Sequence, residues 1–483
     1  MASNNSTTAT FAKRIFGFSM ASWVNCLISL ISTPITTALF LPAELGKINM
    51  FISFANVLIP FIYLGFDQAY VRFYHEPCGK NTAHSLFRVC LLISSISAVL
   101  VGGVVLVAWK YFSANIIGYS SMGVAVCLVL YLIATMLLRY ANLRARMENN
   151  IWLFFVQSVV STIIIKLSFA AIALVSPNSR YAIAVRSVLL TVAGVIFVVL
   201  VLFKKPKEQA DFSKPVLVDL SKFALPVFPT AFLVMLNLSL SQLMLKQYVD
   251  YTMIGIYSNA VTIAGIITIV QSGLNTFWTP FVYEYYKDRE KVQQMHHIVA
   301  FLMLCMALGI VLFQDVIYWV LVDRQYWASK AIMAFLLIGP ISDTISETLG
   351  LGIELSKKTY WKIPIYVINI VVNFVSCIVL IPRFGVLGAA MANALASLSM
   401  LMVKSVIGER FYRCSNTYYR LVLGMCLVLG NAFVNYYYPT GWLKVITSGI
   451  GLVLVCCLYW KTLRILLTKT LTLSKKFFRR SIG

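Results

Sequence analysis

Acidic residues are scarce in this chain. Asp and Glu number 17 against 40 Lys and Arg over 483 residues, and charged residues make up only 12%. Soluble domains carry about 25% charged residues, so a globular enzyme with a large soluble core is excluded. With 60% hydrophobic residues and a mean hydropathy of +0.84, the chain reads as a membrane protein. A net charge of +23 would suggest nucleic acid in a soluble protein. Here it reads as the Lys and Arg bias of cytoplasmic loops, with attraction to anionic lipid or substrate, and no nucleic-acid partner is expected. The ten cysteines, among them Cys26, Cys90, Cys127, Cys305, Cys377 and Cys426, lie mostly in apolar runs, and Cys456 and Cys457 are adjacent. None forms a CxxC pair, so neither a disulfide framework nor a metal site is expected. The four histidines, His75, His84, His296 and His297, stand near helix ends outside any zinc pattern. Walker A, GxSxG and HExxH motifs are absent and the outer loops are short. The expectation is therefore a protein that is not an enzyme and uses no cofactor. The polar and then basic start, MASNNSTTATFAKRIFGF, lacks a signal-peptide cleavage pattern, so the first helix is expected to remain.

What is present is a succession of apolar runs. A spanning helix needs roughly 20 apolar residues, and fourteen such runs are predicted: 16–40, 47–66, 87–109, 121–140, 151–175, 181–203, 223–248, 253–283, 297–322, 328–355, 360–381, 385–407, 418–438 and 441–463. An even number puts both termini on one side. If that side is the cytoplasm, its segments hold 30 of the 40 basic residues, the outer segments hold 9, and Lys166 is left inside a helix. The bias alternates with almost every loop, as the positive-inside rule requires.

The stretch Pro60–Glu76, PFIYLGFDQAYVRFYHE, runs from an apolar helix into a charged aromatic cluster. Asp67 costs energy in hydrocarbon unless a partner or a wet cavity faces it. Arg72 and Glu76 are four apart and share a helix face. The stretch is either a helix end with its charges in the headgroups or, at the mouth of a transport path, a gate formed by Asp67 and Glu76 or an anionic-substrate contact. An internal repeat follows. Lys13 precedes the first helix and Gly46 opens the second; Lys222 precedes the seventh and Gly255 opens the eighth, each pair 33 residues apart. VRFYHE and PFVYEYY end the second and eighth helices at nearly the same offset. Two halves in one orientation imply a parallel repeat with a substrate path between them.

Polar residues inside the helices fall on narrow arcs at 100° per residue. In the second helix these are Asn49, Ser53, Asn56, Pro60 and Asp67; in the seventh, Pro226, Thr230, Asn237, Ser241 and Tyr248; in the eighth, Ser258, Thr262, Gly265, Ser272 and Thr276. Such stripes serve either as interhelical glue or as the lining of a hydrated path. Lys166 lies midway along the fifth helix, beyond easy snorkelling reach, so a cavity or a buried partner is expected. Asp343, Glu347 and Glu354 share one face of the tenth helix, just after Gly339–Pro340, where a kink is predicted. They form either a proton or cation site or an internal ion pair, for instance with Lys166.

The residues Thr33–Glu76 resemble the N-terminal signature of bacterial polysaccharide-biosynthesis membrane proteins, the repeat-unit flippases of O-antigen and capsule pathways. The resemblance is carried by Pro42-x-x-x-Gly46, Leu64-Gly65-Phe66-Asp67 and Val71-Arg72-Phe73-Tyr74, and again by Pro382-Arg383-Phe384-Gly385-Val386-Leu387-Gly388-Ala389-Ala390. It implies the all-α polytopic fold of the multidrug/oligosaccharidyl-lipid/polysaccharide exporter superfamily, two six-helix bundles around a central cavity. The expected division is 1–203 and 223–410 for the bundles, 204–222 for a basic cytoplasmic link, and 411–483 for two extra helices and a basic tail. The two extra helices depart from the family's common twelve; by analogy with the related lipid II flippase they form a lipid-facing groove. The implied substrate is an undecaprenyl-diphosphate-linked oligosaccharide, turned from the inner to the outer leaflet of the bacterial cytoplasmic membrane. A polysaccharide polymerase and glycosyltransferases are the further partners considered. On this reading Lys166 and Arg72 take the diphosphate. Asn49, Asn56, Asn237 and Ser241 line a path for sugar hydroxyls, and Asp343 and Glu347 carry the coupling proton or cation. The rival readings are a cation-coupled drug or metabolite exporter of the same fold and a non-transporting scaffold of a glycan assembly complex.

Overall fold

The computed structural model describes residues 2–75, 83–173, 176–202 and 214–468. Among them every regular element is helical. Twelve helices are long and apolar enough to cross a membrane, and a bent pair at the C-terminal end makes thirteen. The longest, Thr359–Phe411, is far longer than a ~30 Å hydrocarbon core needs. It folds back at Gly385, whose φ of 55° and ψ of −125° only glycine adopts readily. The Asn369 side chain donates to the carbonyl of Ala396 at 2.8 Å, so the two arms run antiparallel. Counted as two passes, this hairpin brings the total to the fourteen that hydropathy predicts.

The chain divides into two compact units. The first, Met1–Ser258 with Leu321–Tyr326, contains α1 (Ala2–Leu39), α2 (Pro42–Tyr63), α3 (Phe66–Phe73), α4 (Ala83–Val107), α5 (Trp109–Ile117), α6 (Met122–Met147), α7 (Ile151–Ala173), α8 (Ser179–Leu202) and α9 (Lys214–Leu245), together with the start of α10 (Tyr251–Ala264). The second predicted helix ends at Tyr63, earlier than its hydropathy indicates. Leu64 and Gly65 both take positive φ, and a methyl group on Gly65 would overlap the carbonyl oxygen of Ala224 on α9. Close backbone approach thus stops α2, and α3 restarts the helix with Asp67 in its first turn.

The glycines equated by the repeat meet in this unit. A methyl group on Gly46 would overlap the carbonyl oxygen of Tyr251, and one on Gly255 would overlap that of Pro42. Pro42 and Tyr251 each stand four residues before their glycine, so the contact is reciprocal, as a twofold relation between α2 and α10 demands. Nearby, Tyr326 Oη donates to the carbonyl of Phe40 at 2.8 Å and Gln325 Nε2 to that of Thr37 at 2.7 Å. These are orphan carbonyls at the end of α1, which explains why Leu321–Tyr326 clusters with the first unit.

The second unit, Asn259–Val320 with Trp327–Gly483, contains the rest of α10, α11 (Thr268–Tyr285), α12 (Arg289–Leu312), α13 (Gln314–Leu321), α14 (Lys330–Leu349), α15 (Leu351–Leu355), α16 (Lys362–Phe411), α17 (Tyr418–Tyr437) and α18 (Trp442–Leu458). A short 3-10 turn at Gly265–Ile267 separates α10 from α11, where a single eighth helix is predicted. Nearly all of α14 is buried, with α12, α16 and α17 packed around it. It continues as a helix through Pro340 and is interrupted at Gly350, where the Lys404 stem lies against the backbone.

The two extra helices are fastened to this unit by charge. Asp315, after α12, accepts from Lys330 Nζ at 3.0 Å and from Lys444 Nζ at 2.7 Å. Lys444, on α18, is wholly buried and also donates to the Pro439 carbonyl at 2.9 Å. Asn435 on α17 donates to the Lys330 carbonyl at 2.8 Å. Burial alone raises the Asp315 carboxyl, but hydrogen bonds from Lys444 and Lys330 outweigh it and hold the group below the usual carboxylate range.

Two outcomes are expected. Gly46→Leu and Gly255→Leu each force backbone apart at a site where overpacking costs at least about 1–3 kcal/mol. Both variants should lose their monodisperse size-exclusion peak at lower temperature than the wild type. Gly103→Leu, facing open space, should not. A folded-state pKa held below the unfolded value gives stability that is present above the unfolded pKa and lost as pH falls through the folded one. Asp315 should therefore contribute constantly from about pH 5 upward, and Asp315→Asn, leaving two buried ammonium groups, should open the segment between α17 and α18 to limited proteolysis at neutral pH.

Candidate functional site

Ionised side chains at membrane depth mark the candidate sites, because hydrocarbon tolerates them only with partners or water. Asp67 is one. Its Oδ2 accepts from Arg139 Nη2 at 2.9 Å and Nε at 3.2 Å, and from Gln68 Nε2 at 3.0 Å. The carboxylate is buried while the Arg139 side chain, on α6, keeps 40% of its surface. Sequence reasoning places Arg139 among the loop cations. Its position near the end of an apolar run gives no sign of the α3–α6 contact that supplies it. Arg72 is exposed on the last turn of α3; Glu76, its expected partner, lies outside the described residues.

The polar stripes resolve residue by residue. Asn49 donates to the Leu45 carbonyl of its own helix at 2.9 Å. Ser53 on α2 donates to Gln242 on α9, whose amide donates to Ser258 on α10 at 3.0 Å. This bonded chain ties three helices and is interhelical glue in the physical sense. Its central residue, Gln242, lies outside the stripe picked from the sequence. Asn56 and Asn237 are half-buried, and Ser241 is buried.

Lys166 sits half-buried on α7. Among the described residues no carboxylate lies within ion-pair distance of it, and its electrostatic neighbour is another cation, Arg186. Arg186 is buried on α8, its guanidinium 5.2 Å from the Tyr131 ring and Nη2 3.3 Å from Tyr131 Oη. Counting Arg186 as an outer-loop charge hides it. Its flanks, YAIAV and SVLLT, place it well inside an apolar helix, a signal the sequence does contain. The result is a pair of cations inside the spanning part of the first unit.

The second unit holds the opposite arrangement. Glu347 on α14 pairs with Lys404 on α16, and Asp343, one turn earlier, is an electrostatic neighbour of both. The expected partner Lys166 is replaced by Lys404, a residue assigned from sequence to the cytoplasmic segments but buried here. The cluster thus sets two carboxylates against one ammonium. Glu354 pairs separately with Lys362 at 2.9 Å. Among the described residues no group of His, Cys, Asp and Glu has the arrangement of a metal site.

The family model described as "Polysaccharide biosynthesis protein" matches residues 11–280. No curated protein matches. Among solved structures the chain is similar to the lipid II flippase MurJ in an inward closed conformation, at 15% identity and a TM-score of 0.66, covering 92% of this chain and 99% of that one. It is similar to the MATE multidrug transporter DinF-BH, at 14% identity and TM-score 0.60, over 83% and 94% of the two chains. It is also similar to an outward-facing multidrug resistance MATE family transporter of the MOP superfamily, at 15% identity and TM-score 0.57, over 86% and 96%. At these identities the structures establish the fold. The family match spans more than half of the sequence, and the chain belongs to the polysaccharide biosynthesis proteins.

Arg139→Met strands the Asp67 carboxylate and should lower the thermal midpoint, at a cost of about 1–3 kcal/mol once the exposure of Arg139 is discounted. Asp67→Asn in the same chain should recover most of that loss. A double-mutant cycle that shows simple additivity would mean the pair is not coupled.

Proposed function

We propose that this member of the polysaccharide biosynthesis family is a flippase that carries a polyprenyl-diphosphate-linked oligosaccharide across the bacterial cytoplasmic membrane. The glycan is a repeat unit of O-antigen, capsule or exopolysaccharide, the lipid is undecaprenyl diphosphate, and both termini are cytoplasmic. The observation that carries the reading is the cation pair of α7 and α8. Lys166, without a carboxylate, and the neighbouring Arg186 provide the positive field that a diphosphate requires on leaving water. Arg72, exposed at the end of α3, meets the diphosphate on the cytoplasmic side, where Asp67 and Glu76 act as the gate. Asn56, Asn237 and Ser241, with Asn49, offer hydroxyl-binding groups to the sugars. A flippase makes and breaks no covalent bond, so the chain needs neither nucleophile nor acid–base pair.

Asp343, Glu347 and Lys404 serve the energy supply in this proposal. The spare negative charge of the trio takes up a proton or a sodium ion, and its occupancy alters which arrangement of α14 and α16 is favoured. Coupling of this kind needs a site whose net charge changes within a low-dielectric packing. A polymerase and glycosyltransferases on the same pathway are the expected neighbours.

Removal of the protein from its native host should make undecaprenyl-diphosphate oligosaccharide accumulate on the cytoplasmic leaflet while surface glycan disappears. The intact protein should restore the surface glycan, Lys166→Arg should restore much of it, and Lys166→Ala should not. Surface glycan that survives removal, with no accumulated lipid, would sink the flippase reading in favour of a drug or metabolite exporter. In vesicles, Asp343→Asn should abolish the dependence of transport on an ion gradient. Full retained dependence would remove the coupling role.

A further inference from the structure

The chain does not stop after α18. At Tyr459 the backbone turns by 81° into α19, Trp460–Thr468. Its axis departs by 81° from that of α18, so the element does not prolong α18 as one straight helix. Its sequence, WKTLRILLT, sorts into three faces at 100° per residue. Thr462, buried, and Leu466, half-buried, point one way, towards the protein. Trp460 and Leu467 are exposed, at 61% and 52%, and lie on a second face flanked by Leu463. Lys461, Arg464 and Thr468 are exposed on a third. An apolar face and a cationic face side by side, with the remaining face against protein, is the pattern of a helix lying at the boundary between acyl chains and headgroups.

Charge identifies the occupant. Lys461 and Arg464 have no ion-pair partner among the described residues. No Asp or Glu occurs anywhere after Glu409, whereas eleven Lys and Arg do. Arg420, at the start of α17, is an electrostatic neighbour of Tyr459 at the elbow, and adds to the same field. The sequence past α19 continues with Lys469, Lys475, Lys476, Arg479 and Arg480. Exposed cations without acidic partners, beside an exposed tryptophan, are complementary to anionic headgroups.

We propose that α19 is a surface-lying anchor that binds the anionic phospholipid headgroups of the adjacent leaflet through Lys461 and Arg464, with Trp460 and Leu467 in the acyl boundary. The site is separate from the cation pair on α7 and α8 and does not depend on what the protein transports. It concentrates negatively charged lipid around the end of α18, which Lys444 and Asp315 hold to the second unit.

The test uses the full chain in lipid nanodiscs. The Trp460 contribution to fluorescence is taken as the difference between the wild type and Trp460→Phe. Brominated phosphatidylglycerol and brominated phosphatidylcholine are compared as quenchers at equal mole fraction. Each surface cation changes the preference for anionic lipid by about fivefold at low salt. The Trp460 signal is therefore expected to be quenched several-fold more effectively by phosphatidylglycerol. Lys461→Gln with Arg464→Gln should bring the two lipids to parity while quenching persists, and high salt should narrow the gap in the wild type. Both cations are exposed, so the variant should fold. Equal quenching by the two lipids in the wild type would overturn the proposal. So would quenching by neither, or a preference that survives the double substitution.

Discussion

Charge inside hydrocarbon is the constraint from which this structure follows. Water cannot solvate an ion there, so each ionised group needs an opposite charge, a ring of hydrogen-bond donors, or a wet cavity. Asp67 has Arg139 and Gln68, and Glu347 has Lys404. Each ion pair joins two different helices. The price of burying one residue thereby becomes a cross-link between elements. Lys166 departs from the pattern, since among the described residues no carboxylate pairs with it and Arg186 is an electrostatic neighbour.

Small residues set how close the helices come. Gly46 against Tyr251 and Gly255 against Pro42 leave no room for a methyl group, so α2 and α10 meet backbone to backbone. Without a hydrophobic drive between helices in lipid, such close packing is what holds them. The Ser53–Gln242–Ser258 chain then fixes the same helices along their length. The repeat in the sequence thus corresponds to a physical contact in which each copy contributes the same surface. Farther along, Gly385 allows one helical run to become a hairpin, and the Gly350 backbone accommodates the Lys404 stem.

Much of the fold is legible in the sequence because membrane insertion is governed by local properties. Apolar length and the side on which Lys and Arg fall are read residue by residue. The fourteen passes follow from them even where Gly385 conceals a turn. The site is legible in part. Lys166, Asp343 and Glu347 stand out because charge is rare in an apolar run. Arg186 carries the same signal but counts with the loops when only loop charges are tallied, and Lys404 and Arg139 are assigned to a face by position alone. Gln242 gives no signal, since an amide in a helix means little until its neighbours are known.

By itself the sequence determined that the chain crosses a membrane many times, that its basic loops alternate, and that two stretches 209 residues apart, around Gly46 and Gly255, repeat one another. Those properties depend on composition and spacing along the chain. Only the tertiary structure decided which acid meets which base, that Asp67 is held by Arg139 and Glu347 by Lys404, and that Lys166 has Arg186 as an electrostatic neighbour. It alone also decided that the chain bends by 81° after α18. Pairing is decided in space, by different helices brought together, and periodicity within one helix carries no record of the helix that will pack beside it.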